Sequence, residues 1–172
     1  LKPALIANPR DRKRFDDGFL RAKKVHDDLK RKSQDAGLVR YGEVGEHDGL
    51  VYFTQEYFPS QSLRQLLEEY AREQKTFSFQ EASQIILKLL RITDFLHQNQ
   101  LIHRNMKPEN VLIHTRSAGP GGKQVVRSVK ITDAGLADVV NPTIFAESYV
   151  SRTEAHYLAP ELNGFGDEGQ PA

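Results

Sequence analysis

The fold of this chain is decided by residues 103–110, which read HRNMKPEN. Within this stretch, Lys107 stands two residues after Asn105 and Asn110 stands five residues after it. Asparagine at position 105 has a chemical consequence, because an amide oxygen accepts hydrogen bonds but is a very poor base. Asn105 therefore cannot take up a proton at neutral pH.

Two further stretches follow along the chain. Residues 129–137 read VKITDAGLA, which includes Asp133, and residues 157–161 read YLAPE. Three stretches in this order and at these separations are far more specific than one short pattern. The loop between the second and third stretches carries five hydroxyl-bearing residues: Thr143, Ser148, Tyr149, Ser151 and Thr153.

These stretches resemble three motifs of eukaryotic-type Ser/Thr protein kinases: the catalytic loop H-R-D-x-K-x-x-N, the K-I-x-D-F-G-L-A segment and the A-P-E end of the activation segment. The resemblance covers roughly residues 10–162. It implies an α+β class and a partial protein-kinase-like fold, with helix αC, the family's fourth and fifth strands, the hinge, helices αD and αE, the catalytic loop and the activation segment. The expected organisation is one incomplete domain over residues 1–172, with an N-lobe remnant at 1–55 and the hinge and part of the C-lobe at 56–172.

The resemblance implies roles for the residues of these motifs. Asn105 stands at the position of the catalytic aspartate, and Lys107 matches the lysine that reaches the transferred phosphate. Asn110 and Asp133 match the magnesium ligands, which must offer oxygen to a hard cation. His103 matches a residue that packs and hydrogen-bonds to hold the loop. ATP and magnesium are the implied cofactors.

The hinge is identified in residues 50–63, which read LVYFTQEYFPSQSL. In this alignment Gln55 is the gatekeeper, and Glu56 and Phe58 are hinge positions that would hold adenine. Leu112, in the strand after the catalytic loop, is the third predicted cofactor-binding residue.

Other positions depart from the family pattern. The alignment puts Ala22 at the αC glutamate that pairs with a strand lysine in active kinases. His26 and Ala134 fall where the regulatory spine has bulky apolar groups, which predicts weaker coupling between αC and the metal site. The glycine-rich loop and the V-A-I-K lysine are missing before the helix, and so is the helical bulk of the C-lobe at the other end. We therefore expect the chain to be a fragment, a processed chain or a partly determined protein. We also expect it to be a degenerate or truncated member of the family, a pseudokinase.

Hydrophobic spacing and capping patterns place the motifs on secondary structure. Ser62 with Gln65, and Ser78 with Glu81, form capping boxes that predict two helix starts. A strand is predicted over residues 38–44, and residues 111–113 and 125–131 predict a hairpin with a glycine-rich connection. The helix at 10–32 carries five apolar residues on one face, at helical spacing: Phe15, Phe19, Ala22, Val25 and Leu29. The helix after Ser78 carries a wider apolar stripe: Ala82, Ile85, Ile86, Leu89, Ile92 and Leu96.

Composition limits the classes of function. The 172 residues carry a net charge of +1, which gives no electrostatic case for nucleic acid or a membrane surface as partner. There is no cysteine, which excludes disulfides and thiolate metal sites and fits a cytoplasmic location. The longest apolar runs are shorter than the roughly 18 residues that span a bilayer.

Three functions are consistent with the sequence. The first is a catalytically impaired pseudokinase that acts as a scaffold or an allosteric interaction module with a protein partner. The second is part of an active ATP- and magnesium-dependent Ser/Thr protein kinase. The third is a purely structural subunit of a larger assembly without nucleotide. The sequence gives neither the substrate nor the oligomeric state.

Overall fold

In the computed structural model of the chain, residues 9–32, 37–48, 50–117, 124–136 and 157 are described. Three predicted segments lie outside these residues: the connection at 118–123, the end of the A-P-E stretch at 158–161, and the hydroxyl-bearing loop residues Thr143, Ser148, Tyr149, Ser151 and Thr153. Within the described part, no helix has both the length and the apolar character needed to cross a bilayer.

The described residues form both helices and strands, as the expected α+β class requires. The helices are α1 at Pro9–Lys32, α2 at Leu63–Arg72 and α3 at Phe79–Gln98. The strands are β1 at Tyr41–His47, β2 at Leu50–Gln55, β3 at Gln61–Ser62, β4 at Val111–Ser117 and β5 at Gln124–Ile131. A short 3-10 turn at Pro108–Asn110 leads directly into β4.

The two predicted capping boxes start helices α2 and α3. The Ser62 hydroxyl accepts from the Gln65 N–H at 3.1 Å, and the Gln65 side chain accepts from the Ser62 N–H at 2.8 Å. Ser78 and Glu81 make the same reciprocal pair at 3.3 and 2.8 Å. Each pair satisfies two backbone donors that a helix start leaves without an internal acceptor.

Two antiparallel sheets are joined by main-chain hydrogen bonds. Strands β1 and β2 form one hairpin, and β3, β4 and β5 form the second sheet in that order. Leu38 makes a parallel bridge to Ile131, where the Val39 N–H donates to the Ile131 carbonyl at 3.0 Å and the Ile131 N–H donates to the Gly37 carbonyl at 2.8 Å. Gly37 has a φ of 65°, and a Cβ there would lie 2.4 Å from the Ile92 side chain. Glycine therefore lets this junction pack against α3.

The apolar core has two parts. The larger part lies among α3, β4 and β5, and a smaller cluster lies between α1 and β1. The larger cluster includes Ile85, Ile92, Leu96, Val111, Ile113 and Ile131. The smaller cluster consists of Phe19, Ala22, Tyr41 and Leu136, with Val44 and Phe53 packed against it.

The structure departs from the sequence analysis in three details. Val25 and Ile86, which belong to the apolar faces of their helices, are 37% and 54% exposed. His26 is buried instead of Val25, because its ring packs on Tyr41 and its Nε2 atom has a backbone partner. The strand predicted from residue 38 begins at Tyr41, because Leu38 and Val39 pair with Ile131 of β5 rather than with β2.

Candidate active site

His103 joins the predicted catalytic loop to the end of β5. Its Nε2 atom lies 2.9 Å from the Thr132 carbonyl, and its Nδ1 atom lies 3.2 Å from the Asn105 backbone nitrogen. Because a carbonyl only accepts and a backbone N–H only donates, Nε2 carries the proton and Nδ1 is the acceptor. Burial lowers the pKa of His103, which keeps the ring neutral in this tautomer.

Asn110 holds the loop from its other end. It is buried, and its Nδ2 atom donates to the Asn105 carbonyl at 2.8 Å. Its backbone N–H donates to the Lys107 carbonyl at 2.9 Å, which closes the 3-10 turn. Since the carbonyl of Asn105 can only accept, the amide nitrogen of Asn110 must face it. The Oδ1 atom of Asn110 is therefore the oxygen that this side chain could offer to a cation.

Asp133 follows Thr132, the residue opposite Asn110 across the β4–β5 pair. Val111 is the register partner of Ile131, and the Thr132 N–H donates to the Asn110 carbonyl at 3.0 Å. Of the two predicted metal ligands, Asn110 is therefore paired with Thr132, and Asp133 is the next residue along the chain from Thr132. Antiparallel partners lie about 4.5–5.5 Å apart, so this register brings the ligands to the same end of the sheet.

The Thr132 hydroxyl connects Asp133 to strand β2. It lies 3.2 Å from an Asp133 carboxylate oxygen and 3.1 Å from the Gln55 side-chain oxygen. One hydroxyl hydrogen is shared between these two acceptors. Asp133 has a φ of 65° and Arg104 has a φ of 59°, a region that residues with a side chain seldom adopt. Both motifs therefore contain backbone that the surrounding structure must hold in place.

The predicted hinge residues surround Lys130. The Glu56 carboxylate forms ion pairs with Lys130 and, at 2.7 Å, with Arg40. The Lys130 ammonium also lies 4.9 Å from the centre of the Phe58 ring. Leu112 is the register partner of Lys130 across β4 and β5, so the two side chains share a face of the sheet. Glu56, Phe58 and Leu112 thus lie around the Lys130 side chain.

Lys130 and Arg40 were not predicted from the sequence as parts of this cluster. The alternation of β5 was a partial signal, because Lys130 lies between the inward-facing Val129 and Ile131. Its acidic partner, Glu56, is 74 residues away in the sequence, and only the folded arrangement identifies it.

Arg64 in α2 connects the catalytic loop to Tyr157. It makes an ion pair with Glu109 at 2.8 Å and donates to the Tyr157 hydroxyl at 3.0 Å. Burial disfavours the charged form of Glu109, but the hydrogen bond from Arg64, a backbone hydrogen bond and the positive charges of Arg64 and Lys107 together outweigh burial, so the pKa of Glu109 is lowered. The first residue of the YLAPE stretch therefore contacts a side chain that also holds the loop.

The two residues of helix α1 that lie beside the Asp133–Gly135 turn, Ala22 and His26, carry no carboxylate. Ala22 packs beside Gly135, where an added Cβ would lie 4.0 Å from the Ala22 methyl. Four residues later, His26 Nε2 lies 2.8 Å from the Ala134 carbonyl, and the Tyr41 hydroxyl lies 3.2 Å from the same oxygen. The sequence predicted a weakened apolar link at His26 and Ala134. The link observed there is made of hydrogen bonds.

The described residues contain no cluster of three or more His, Cys, Asp or Glu side chains arranged to hold a metal ion. A cation at this site would therefore be held by Asn110 and Asp133 together with oxygens from a ligand and from water. Mg²⁺ is commonly bound in this way, through one or two protein oxygens plus phosphate and water. The donor set fits magnesium that arrives with a phosphate-bearing ligand.

The sequence profile of the protein kinase domain family matches residues 7–170. Together with the loop and strand geometry above, this match shows that the chain belongs to the protein kinase superfamily.

Similar proteins are named as serine/threonine kinases. The probable serine/threonine-protein kinase PknB of Lactococcus lactis is 31% identical over 72% of this chain and 18% of its own length. The putative serine/threonine-protein kinase C01C4.3 of Caenorhabditis elegans is 32% identical over 67% of this chain and 25% of its length. The serine/threonine-protein kinase PKH2 of Saccharomyces cerevisiae is 29% identical over 78% of this chain and 12% of its length. The chain thus spans a quarter or less of these relatives.

Proposed function

We propose that this chain is a protein-kinase-like domain with impaired phosphoryl transfer, which acts as a scaffold or allosteric module for a protein partner. In this proposal residues 1–55 supply part of the N-lobe and residues 56–172 supply the hinge and part of the C-lobe. The observation that carries it is Asn105, because the aspartate expected there would accept the proton of the attacking hydroxyl. General-base assistance is typically worth roughly 10²–10⁴ in rate.

Ala22 supports the same proposal from the other side of the site. In active kinases a glutamate of helix αC pairs with the lysine that holds the ATP phosphates. Ala22 packs beside Gly135 at the position that the alignment gives to this glutamate. An alanine cannot form that ion pair, so α1 cannot orient a phosphate-binding lysine through it.

A magnesium–nucleotide complex is the ligand that the retained residues fit. Asn110 and Asp133 would hold the cation, Lys107 would contact a phosphate, and Glu56, Phe58 and Leu112 would line the adenine position. Magnesium supplies charge neutralisation of the phosphates when bound. Because the Glu56 carboxylate is paired with Lys130 and Arg40, its backbone carbonyl is the group it would offer to adenine.

An active Ser/Thr kinase is the second candidate. It is favoured by the organised loop, in which Asn110 bonds to the Asn105 carbonyl, and by relatives named as serine/threonine kinases. In this case Asn105 would orient the attacking hydroxyl as a hydrogen-bond acceptor without removing its proton.

Phosphate transfer to a general acceptor protein separates the two candidates. The intact protein and its Asp133→Ala variant are incubated with radiolabelled ATP and magnesium. We expect the same low incorporation from both. Robust incorporation by the unmodified protein, abolished by Asp133→Ala, would overturn the proposal and support the active kinase.

Nucleotide binding is tested separately by thermal unfolding with ATP, with magnesium, and with both. A ligand at 100 times its dissociation constant adds roughly 2.7 kcal/mol to the free energy of unfolding. We expect stabilisation only when both are present, and none in Asp133→Ala. If ATP with magnesium stabilises neither protein, the nucleotide part fails and the structural-subunit alternative is favoured.

A further inference from the structure

The Lys130 side chain lies beside all three residues that were predicted to bind adenine. Its ammonium group forms an ion pair with the Glu56 carboxylate and lies 4.9 Å from the centre of the Phe58 ring. Leu112 is its register partner on β4, so the two side chains share a face of the sheet. One lysine side chain thus lies among the three residues that a nucleotide base would contact.

The distance between Lys130 and Phe58 matters because a base would need the same space. Aromatic rings that pack against each other have their centres about 4.5–7 Å apart. The Lys130 ammonium lies over the Phe58 ring at 4.9 Å, within that range. The ring of His114 packs against Phe58 as well, with the ring centres 6.0 Å apart. A purine therefore cannot take the place on Phe58 that the ammonium holds until the ammonium leaves it.

The lysine side chain is able to leave this place although its backbone is fixed. The neighbouring Val129 and Ile131 are buried, which anchors this part of β5 in the core. The four-carbon stem of a lysine is flexible, so the ammonium can move while the strand stays in position. Glu56 keeps a cationic partner during such a movement, because Arg40 lies 2.7 Å from its carboxylate. Displacement of Lys130 therefore does not leave the carboxylate unpaired.

We propose that Lys130 occludes the base position, so that a purine nucleotide binds there only after the ammonium has moved off Phe58. The proposal rests on the proposed function, which makes a magnesium–nucleotide complex the ligand. The occlusion lowers affinity, because the contacts of Lys130 with Glu56 and Phe58 must be broken before the base can make its own. It acts on the base alone, since the phosphates and the cation would be held by other residues.

The position of Lys130 is tested first without nucleotide, by the NMR shift of its ε-CH₂ protons. Protons above an aromatic ring are shifted upfield, and Phe58→Leu removes the ring. We expect an upfield signal that is absent from Lys130→Arg, which assigns it, and that returns to the ordinary lysine position in Phe58→Leu. An ordinary shift in the unmodified protein would show that Lys130 does not cover Phe58 and would overturn the proposal.

Binding is then measured by calorimetry with three probes: adenosine, ATP with magnesium, and tripolyphosphate with magnesium. Lys130→Ala removes the side chain from the base position. We expect it to bind adenosine and ATP about five- to twentyfold more tightly than the unmodified protein, because no ion pair or cation–π contact has to be broken. Tripolyphosphate has no base and should bind to both proteins alike. Loss of folding cannot produce this result, since it would weaken binding.

Two matched variants control for charge. Arg127→Ala removes a positive charge from an exposed position of the same strand and should leave all three affinities unchanged. Lys130→Arg keeps a cation beside Glu56 and Phe58 and should keep the weaker affinity for adenosine and ATP. If Lys130→Ala binds these two probes no more tightly than the unmodified protein, or if its gain extends equally to tripolyphosphate, the proposed occlusion is wrong.

The three probes separate failure of the occlusion from failure of the proposed function. Tripolyphosphate binding without a gain for adenosine or ATP in Lys130→Ala would keep the cation site and overturn the occlusion. Tighter adenosine binding by Lys130→Ala, with no tripolyphosphate binding by either protein, would support the occlusion and overturn the cation site. Absence of binding of every probe to both proteins would overturn both.

Discussion

The side-chain nitrogen of Asn110 donates to the backbone carbonyl of Asn105 across 2.8 Å. The loop is therefore held at this point by the side chain of Asn110 and by the main chain of Asn105. The backbone N–H of Asn105 also donates to Nδ1 of His103. A change of the Asn105 side chain can consequently alter the chemistry of the loop without removing either bond.

Substitutions at the two asparagines should therefore have different effects on stability. Asn110→Asp has nearly the same shape but turns a donor into a carboxylate that faces a carbonyl, in a buried position. We expect it to lower the free energy of unfolding by about 1–3 kcal/mol, the cost of leaving a buried polar group without its partner. Asn105→Ala keeps its backbone groups and should cost less than about 0.5 kcal/mol.

Urea unfolding of both variants beside the unmodified protein measures this difference. Equal losses of stability, or a larger loss in Asn105→Ala, would mean that the side chain of Asn105 supports the loop. The inference that the Asn105 side chain affects the chemistry of the loop but not its stability would then be wrong.

His103 should make the protein less stable in acid. Burial holds its folded-state pKa below the ordinary value of 6.5, so near and below that pH the unfolded chain binds a proton that the folded protein does not. The contribution of His103 is fully present above pH 6.5 and is lost as the pH falls towards the lower folded-state pKa. The free energy of unfolding should fall between pH 7.5 and pH 5.

The variant His103→Gln supplies the comparison, because it lacks this titration while the other histidines remain. We expect its unfolding free energy to fall less steeply over the same interval. Identical pH dependence in the two proteins would show that His103 does not contribute in the way inferred here.

The Glu56–Lys130 pair should stabilise the protein more than the Glu56–Arg40 pair. The Lys130 side chain is 21% exposed and the Arg40 side chain is 62% exposed, so water screens the second pair more strongly. A double-mutant cycle with Glu56→Gln and Lys130→Met should give a coupling free energy of about 1–2 kcal/mol. The cycle with Arg40→Met should give less than about 0.5 kcal/mol. A reversed order would contradict the view that the less exposed of the two ion pairs contributes more stability.

Much of the fold was predictable where local signals are strong. The helix predicted at residues 10–32 is observed at Pro9–Lys32, and the two capping boxes correctly predicted the starts of α2 and α3. The hairpin of β4 and β5 also follows the alternation of its sequence. In each case the signal lies within one helix or along two strands that are neighbours in the sequence.

The contacts that build the site were less predictable, because they join residues far apart in sequence. An apolar pattern favours Val25 over His26 as the buried residue. It contains no information about the Ala134 carbonyl that bonds to His26, or about the Tyr41 ring that packs against it. The ion pair between Glu56 and Lys130 was missed for the same reason. Local sequence patterns indicate which residues lie on helices and strands. The partners to which those residues bond are determined by the tertiary contacts.

The most direct test of the account is the rate of phosphate transfer by Asn105→Asp compared with the unmodified protein. Both are assayed with ATP and magnesium on the same acceptor protein, with Asn105→Asp/Asp133→Ala as the control that removes the predicted metal ligand. Because the loop is organised around the main chain at position 105, we expect the restored carboxylate to raise the rate by roughly 10²–10⁴. The double variant should lose this gain. An unmodified protein that transfers phosphate as fast as Asn105→Asp would contradict the claim that Asn105 is the residue that impairs catalysis.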